Sequence, residues 1–273
     1  MVEVLVHFVA PALVGVLIGI ASGLLGIGGG TVMVPIFRLA FGMSATVSTA
    51  TSLFAIIPTS ISGAISHVKG KTCIPALGIA AGLGGACLSP VGVWLAQLSP
   101  DWLVMLAAAL IIGYSAINMF KKAFKIPPAG QPAEGADAAA PTADDSSLSR
   151  KQLLQGAAIG LVAGLASGYV GVGGGFIMVP LMLSIVGIPM RKASGTSLIA
   201  VMILAIPGVI EQGIIGNINY LAGIAIVIGT IPGAVIGARL VTKVPERTLR
   251  LLFGCFLIVA AVMLVLNEVG IFG

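Results

Sequence analysis

Charge is what this chain has least of. Only 8% of its 273 residues are Asp, Glu, Lys or Arg, against about 25% in a soluble domain. With 58% hydrophobic residues, the composition is that of an integral membrane protein. Nine acidic residues and two histidines leave no carboxylate pair, no nucleophile–base pair and no metal-ligand cluster in the pattern. Catalytic machinery is not visible, so neither an enzyme nor a cofactor is expected. The three cysteines, Cys73, Cys87 and Cys255, stand singly in apolar stretches without CxxC spacing. They read as small buried hydrophobes, not as a metal site or disulfide framework. The formal charge of +5 is spread among loops with no basic face, which excludes nucleic acid as a partner. The first residues, MVEVLVHFVAPAL, lack the basic n-region of a signal peptide, so the first segment is expected to be retained.

Long apolar runs are abundant. A spanning helix needs about 20 apolar residues, and 4–25, 46–66, 73–96, 102–120, 152–170, 193–212, 218–242 and 248–266 meet that. Shorter apolar segments lie at 29–43 and 174–187.

The chain also repeats itself. ASGLLGIGGGTVMVP at 21–35 and ASGYVGVGGGFIMVP at 166–180 share 10 of 15 positions at an offset of 145 residues. At the same offset Thr51-Ser52-Leu53 matches Thr196-Ser197-Leu198, Gly78 matches Gly223, and Pro100-Asp101 matches Pro245-Glu246. Between the halves, 122–150 holds four prolines and four of the nine acidic residues. It reads as a disordered cytoplasmic linker between a first repeat at 1–121 and a second at 151–273.

Charge decides the topology. With four crossings per half the repeats are parallel, and 7 of 14 basic residues fall on each side. With five segments per half they are inverted, and only Arg38 is left outside, so 13 of 14 lie inside, as the positive-inside rule requires. The expected fold is an all-α polytopic membrane protein of two inverted-topology repeats. Each repeat has about five helical segments with Gly-rich broken or re-entrant helices. The segment at 31–42 spans about 18 Å of helix, short for a core of about 30 Å. It is either a short crossing or the return leg of a re-entrant hairpin.

Gly/Pro-interrupted apolar segments at matching positions of two halves point to a transporter's binding site. Gly28, Gly29 and Gly30 precede a helix opening at Thr31. Gly173, Gly174 and Gly175 precede one opening at Phe176. Free N–H groups and the positive dipole end at such a start suit an anion. Close helix packing through small residues is the competing reading of each glycine. Thr51, Ser52, Thr196 and Ser197 recur in both halves and read either as oxyanion donors or as N-caps of the third helix of each half. Thr59, Ser60 and Ser62 add polarity further along. Pro35 and Pro180 read as kinks. Arg38 reads as a snorkelling residue or an anion-attracting charge at the outer mouth. His67 and Glu211 read as loop residues.

The paired GxGGGxxxVP motifs, Gly26 to Pro35 and Gly171 to Pro180, together with the TSL triplets and the central linker, resemble the TauE/SafE family, the sulfite exporters. The resemblance covers nearly the whole chain outside 122–150. It implies transport of small sulfur-containing anions such as sulfite, thiosulfate, sulfoacetate or related organosulfonates. It also implies a bacterial or archaeal cytoplasmic membrane. A secondary transporter working by alternating access is the expectation. Export is favoured, because an anion leaving a negative-inside cell gains about 2.3 kcal/mol per charge per 100 mV. The alternatives are a carrier of another small solute, or a membrane docking partner of a sulfur-metabolism enzyme.

Overall fold

A computed structural model describes residues 10–124 and 149–268. Those residues are helical with no strand among them. In chain order the helices are α1 (Ala10–Leu25), α2 (Gly30–Phe41), α3 (Ala45–Lys69), α4 (Pro75–Leu98), α5 (Asp101–Phe124), α6 (Arg150–Val170), α7 (Gly175–Leu181), α8 (Met190–Ile215), α9 (Tyr220–Leu240) and α10 (Glu246–Glu268). Seven of these, α3–α6 and α8–α10, are long and apolar enough to cross a membrane. The protein is an all-α polytopic membrane protein. Most of the expected linker, 125–148, lies outside the described residues. Its first residues do not: α5 runs on through Lys122 to Phe124.

Small residues set the closest helix pairs. Gly15, Gly19 and Gly23 of α1 press on Ile226, Thr230 and Ala234 of α9, while Gly229, Gly233 and Gly237 press back on Ala12, Val16 and Ile20. Contacts advance in the same direction along both helices, so α1 and α9 are parallel. Gly156, Gly160, Gly164 and Gly168 of α6 meet Leu77, Ala81, Gly85 and Ser89 of α4 in the same way. A Cβ on Gly168 would run into the Ser89 carbonyl oxygen and stand 3.0 Å from Val93 N. In lipid, where burial gives no hydrophobic gain between helices, such backbone approach is the main source of cohesion.

Other contacts fix the remaining directions. On α3, Leu53, Gly63 and His67 meet Gly208, Leu198 and Gly195 of α8, so these two helices are antiparallel. α3 runs with α9, since Phe54 meets Gly223 and Thr59 meets Thr230. α4 runs with α8, since Gly78 and Gly82 meet Ile199 and Ile203. α5 and α10 are antiparallel, with Phe120 against Gly254 and the Lys122 carbonyl accepting from Arg250. The ends of α3, α5 and α9 and the starts of α4, α6, α8 and α10 therefore share one face of the bundle. That face carries Lys69, Lys71, Lys121, Lys122, Arg150, Lys151, Arg191, Lys192, Arg239, Lys243, Arg247 and Arg250. We call it the basic end. Arg38, in the last turn of α2, is at the opposite end with Trp94, Trp102 and Tyr220.

The short segments do not cross. α2 has 12 residues and begins beside Ile56, near the middle of α3. α1 passes that depth, its Gly23 reaching His67 close to the basic end. The chain then turns back at 26–29, and α2 returns to the side from which α1 came. α6 and α7 repeat the hairpin from the basic end. α7 has seven helical residues and continues as a π-helical turn at Met182–Val186. Pro180 removes a backbone donor there, and its own carbonyl accepts from Ser184 Oγ at 2.7 Å and Lys122 Nζ at 2.8 Å. The two prolines therefore differ, since Pro35 stays within regular helix.

Candidate functional site

The Gly-rich segments meet at mid-depth. Gly30 lies directly against the Val172 carbonyl, and Gly175 against the Gly26 carbonyl and Ile27. A Cβ on Gly175 would be 2.9 Å from Ile27 Cα, so neither position admits a side chain. Ile56 fills the space beside Gly30 and Gly173. Gly28 and Gly173 take φ of +81° and +75°, a left-handed conformation that costs an L-residue roughly 1–2 kcal/mol. Close packing is thus real for Gly30 and Gly175, while Gly28 and Gly173 are required by the bend. Gly29 has φ +85° and caps α2, whereas its counterpart Gly174 caps α7 at φ 17°.

The two bends differ in polarity. Ser22, Thr31 and Ser60 are fully buried, and none of the three hydroxyls has a hydrogen-bond partner. All three belong to the first bend. Ser60 Oγ is 3.4 Å from where a Gly28 Cβ would stand, Ser22 Cβ is 3.7 Å from that of Gly29, and Thr31 follows Gly30. Val32 and Met33 donate to the Gly29 carbonyl at 3.2 Å. The N–H groups of Gly30 and Thr31 precede those bonds, at the helix start that intrahelical bonding leaves open. Nearby, Thr59 and Thr230 share a hydrogen bond of 2.5 Å. At the 145-residue offset, Ser22 is matched by Ser167, but Thr31 by Phe176, Thr59 by Leu204, Ser60 by Ala205 and Thr230 by Gly85. The first bend has more hydroxyls beside it than the second, although Val201, Ile56, Ile18 and Met33 also press on it and Ser167 is likewise buried without a partner. An orphaned buried hydroxyl costs about 1–3 kcal/mol, and native structures hold few. Ser48, Ser52, Ser89 and Ser167 are also buried without a partner, but Ser22, Thr31 and Ser60 gather around one glycine bend.

The TSL hydroxyls have a different placement. Helices α3 and α8 begin at Ala45 and Met190, so Thr51 and Thr196 lie in their second turns and do not cap them. Thr51 Oγ1 accepts from Asn219 N at 3.0 Å, and Thr196 Oγ1 from Ile74 N at 2.9 Å. Asn219 and Ile74 are the N-caps of α9 and α4, so each threonine caps a helix of the opposite half. Ser197 donates to the carbonyls of Gly26 and Ser194 at 2.7 and 2.8 Å, which ties α8 to the first bend. Its counterpart Ser52 is buried without a partner. The matched acids have the same logic. Asp101 accepts from Ala45 N at 3.3 Å, and Glu246 from Met190 N at 3.1 Å, closing the starts of α3 and α8.

Three readings of the sequence need correction. His67 is not a solvated loop residue. It is fully buried in the last turn of α3, with Nδ1 2.7 Å from Thr72 Oγ1 and Nε2 2.8 Å from the Gly23 carbonyl. Its polar ring joins three chain segments that would otherwise end with open groups. Glu211 belongs to α8, not to a loop. Of the cysteines, Cys87 and Cys255 are exposed on the bundle surface and Cys73 is half-buried, because apolar side chains here face lipid as readily as the core. Sequence reasoning also missed Ser22. Its signal was the serine shared by both ASG triplets. Among the described residues no cluster of three His, Cys, Asp or Glu can hold a metal ion.

Comparison with known proteins agrees with this architecture. The chain is 28% identical over 280 residues to the probable membrane transporter protein YunE of Bacillus subtilis, covering 97% of this chain and 99% of the relative. It is 28% identical over 239 residues to the probable membrane transporter protein YdhB of the same organism, covering 87% and 92%. A probable membrane transporter protein of Xylella fastidiosa is 25% identical over 255 residues, with 92% of each chain covered. No solved structure gives a significant match. The family model described as sulfite exporter TauE/SafE matches residues 11–264, a span that takes in both glycine bends and both hydroxyl-bearing long helices, and the chain belongs to that family.

Proposed function

We propose that the protein is a secondary transporter of small sulfur oxyanions or organosulfonates in a bacterial or archaeal cytoplasmic membrane. The substrate binds at the two glycine bends, Gly28, Gly29, Gly30 and Thr31 on one side, where Ser197 holds the Gly26 carbonyl, and Gly173, Gly174, Gly175 and Phe176 on the other, with Ser52 as a further buried hydroxyl. The first bend supplies most of the donors. The observation that carries this reading is the set of three orphaned hydroxyls, Ser22, Thr31 and Ser60. Hydroxyls and helix N–H groups are donors suited to an oxyanion, and without a carboxylate the bend offers a cation little. Thr51 and Thr196 act as positioning residues through the helix starts they cap.

The transport cycle is alternating access of two inverted-topology repeats. The antiparallel course of α3 and α8, and the reciprocal α1–α9 and α6–α4 pairs, support that symmetry. The basic end faces the cytoplasm by the positive-inside rule. Export follows from charge: an oxyanion leaving through the membrane potential gains about 2.3 kcal/mol per charge per 100 mV. The test is flux of sulfite and thiosulfate in proteoliposomes with an imposed potential and pH gradient. Flux that follows the potential is expected. No flux of either anion from folded protein would reject the reading.

A further inference from the structure

A cleft with cations on its wall lies away from the bends. At the basic end, between the last turns of α3 and α9, a cleft of about 540 Å³ is lined by Ser62, Ser66, Lys69, Thr72, Arg239 and Thr242, with an apolar wall that includes Ile65. Its volume is in the range of small-molecule sites, about 300–1,000 Å³. Neither Lys69 nor Arg239 has a carboxylate partner among the described residues. Two unpaired cations therefore face one cavity, with no acid among the described residues to neutralise them. Its four hydroxyls already donate to backbone carbonyls, Ser62 to Thr59 and Ile231, Ser66 to Ser62, Thr72 to His67 and Thr242 to Arg239.

The positive-inside bias explains cations near this end, but not the placing of two unpaired ones on a single cleft of ligand size. The repeat provides an internal control. At the symmetry-related positions of the opposite end, Lys69 becomes Ile214, Arg239 becomes Trp94, Ser66 becomes Glu211 and Thr242 becomes Gln97, each 145 residues away. The caps survive this exchange (Asp101 for Glu246, Thr51 for Thr196), so the basic cleft is not a by-product of the fold. It is also wired to the first bend. Thr72 lines the cleft and bonds His67 Nδ1, and His67 Nε2 holds the Gly23 carbonyl, three residues before Gly26.

We propose that this cleft is an oxyanion-binding vestibule, separate from the bends, in which Lys69 and Arg239 supply both the charge and the N–H donors. Its occupant is a free sulfur oxyanion or the phosphate of an anionic lipid headgroup, which share this chemistry. As a separate site, it stands or falls independently of the bends.

The test uses the full chain in phosphatidylcholine nanodiscs and radiolabelled thiosulfate in equilibrium dialysis at low ionic strength. The double variant Lys69→Gln/Arg239→Gln is expected to weaken binding about tenfold or more, as loss of two nearby unit charges implies. The control Lys121→Gln/Lys151→Gln removes the same charge elsewhere and is expected to change nothing. Equal loss in both double variants would reduce the effect to net charge and overturn the vestibule. In nanodiscs containing phosphatidylglycerol, a lipid occupant would displace thiosulfate and stay bound to the wild type in native mass spectrometry, but not to Lys69→Gln/Arg239→Gln. If neither thiosulfate nor phosphatidylglycerol binding responds to that double variant, the proposal is wrong. Ser60→Ala separates the two sites. It is expected to keep vestibule binding while losing flux. Binding lost in Ser60→Ala alone would place the anion at the bends and leave the cleft without a role.

Discussion

Replacing Ser60 by alanine removes one oxygen from a hydroxyl that is fully buried and unpartnered. If the residue were structural, the change would be destabilising, as loss of a buried hydrogen bond is. Here no bond is lost. The desolvation cost of an orphaned hydroxyl, about 1–3 kcal/mol, is relieved, and the small void left beside Gly28 offsets part of that. The expected stability change is therefore between zero and a gain of about 2 kcal/mol. Function should move the other way. A hydrogen bond from this hydroxyl to a charged oxygen contributes about 1.5–3 kcal/mol, so its loss weakens the anion roughly 10- to 150-fold at about 1.36 kcal/mol per decade. Thermal unfolding in detergent and thiosulfate flux in proteoliposomes, measured on the same preparation, read both quantities. A variant at least as stable as the wild type with tenfold poorer flux is the expected result. Unchanged flux with a lowered unfolding temperature would refute the reasoning, because it would show that Ser60 supports packing and not the guest.

Thr196→Val should destabilise the protein by about 1–2 kcal/mol, since it strips the cap from Ile74 N, and should leave substrate affinity unchanged; a shift in affinity without loss of stability would contradict the positioning role. Gly30→Ala pushes a Cβ into the Val172 carbonyl and should sharply reduce folded protein in fluorescence-detected gel filtration, whereas Gly113→Ala, where a Cβ meets nothing within 4 Å, should be neutral. His67→Ala breaks two buried hydrogen bonds and should cost about 2 kcal/mol, with partial recovery in His67→Gln, the side chain found at the matching position 212. Single cysteines at Lys71 and Tyr220 should react with impermeant maleimide from opposite sides of the membrane; labelling from the same side would break the shared basic end.

Membrane class, repeat register and the location of the bends were legible in the sequence. The reason is that each follows from local chemistry. A run of about 20 apolar residues is helical in lipid whatever its neighbours, and GxGGG denies a helix wherever it occurs. Even the charge asymmetry that placed the basic end is a sum over loops and needs no packing. The role of each side chain within the bundle was decided only by tertiary structure. Thr51 and Thr196 sit one turn inside their own helices, and only the third dimension brings Asn219 and Ile74 to them. His67 sits next to two lysines in sequence, yet its ring points into the gap left by Gly23 and Gly195. The segment at 30–41 had a length that fitted a short crossing or a return leg, and the contacts of Gly30 with Ile56 and Val172 chose the return leg. The inequality of the two bends was present in the letters as Thr31 against Phe176. Ser60 and Ala205 joined that inequality only when α3 and α8 carried them to mid-depth, because contact across a helix bundle depends on which faces meet, and sequence order does not record that.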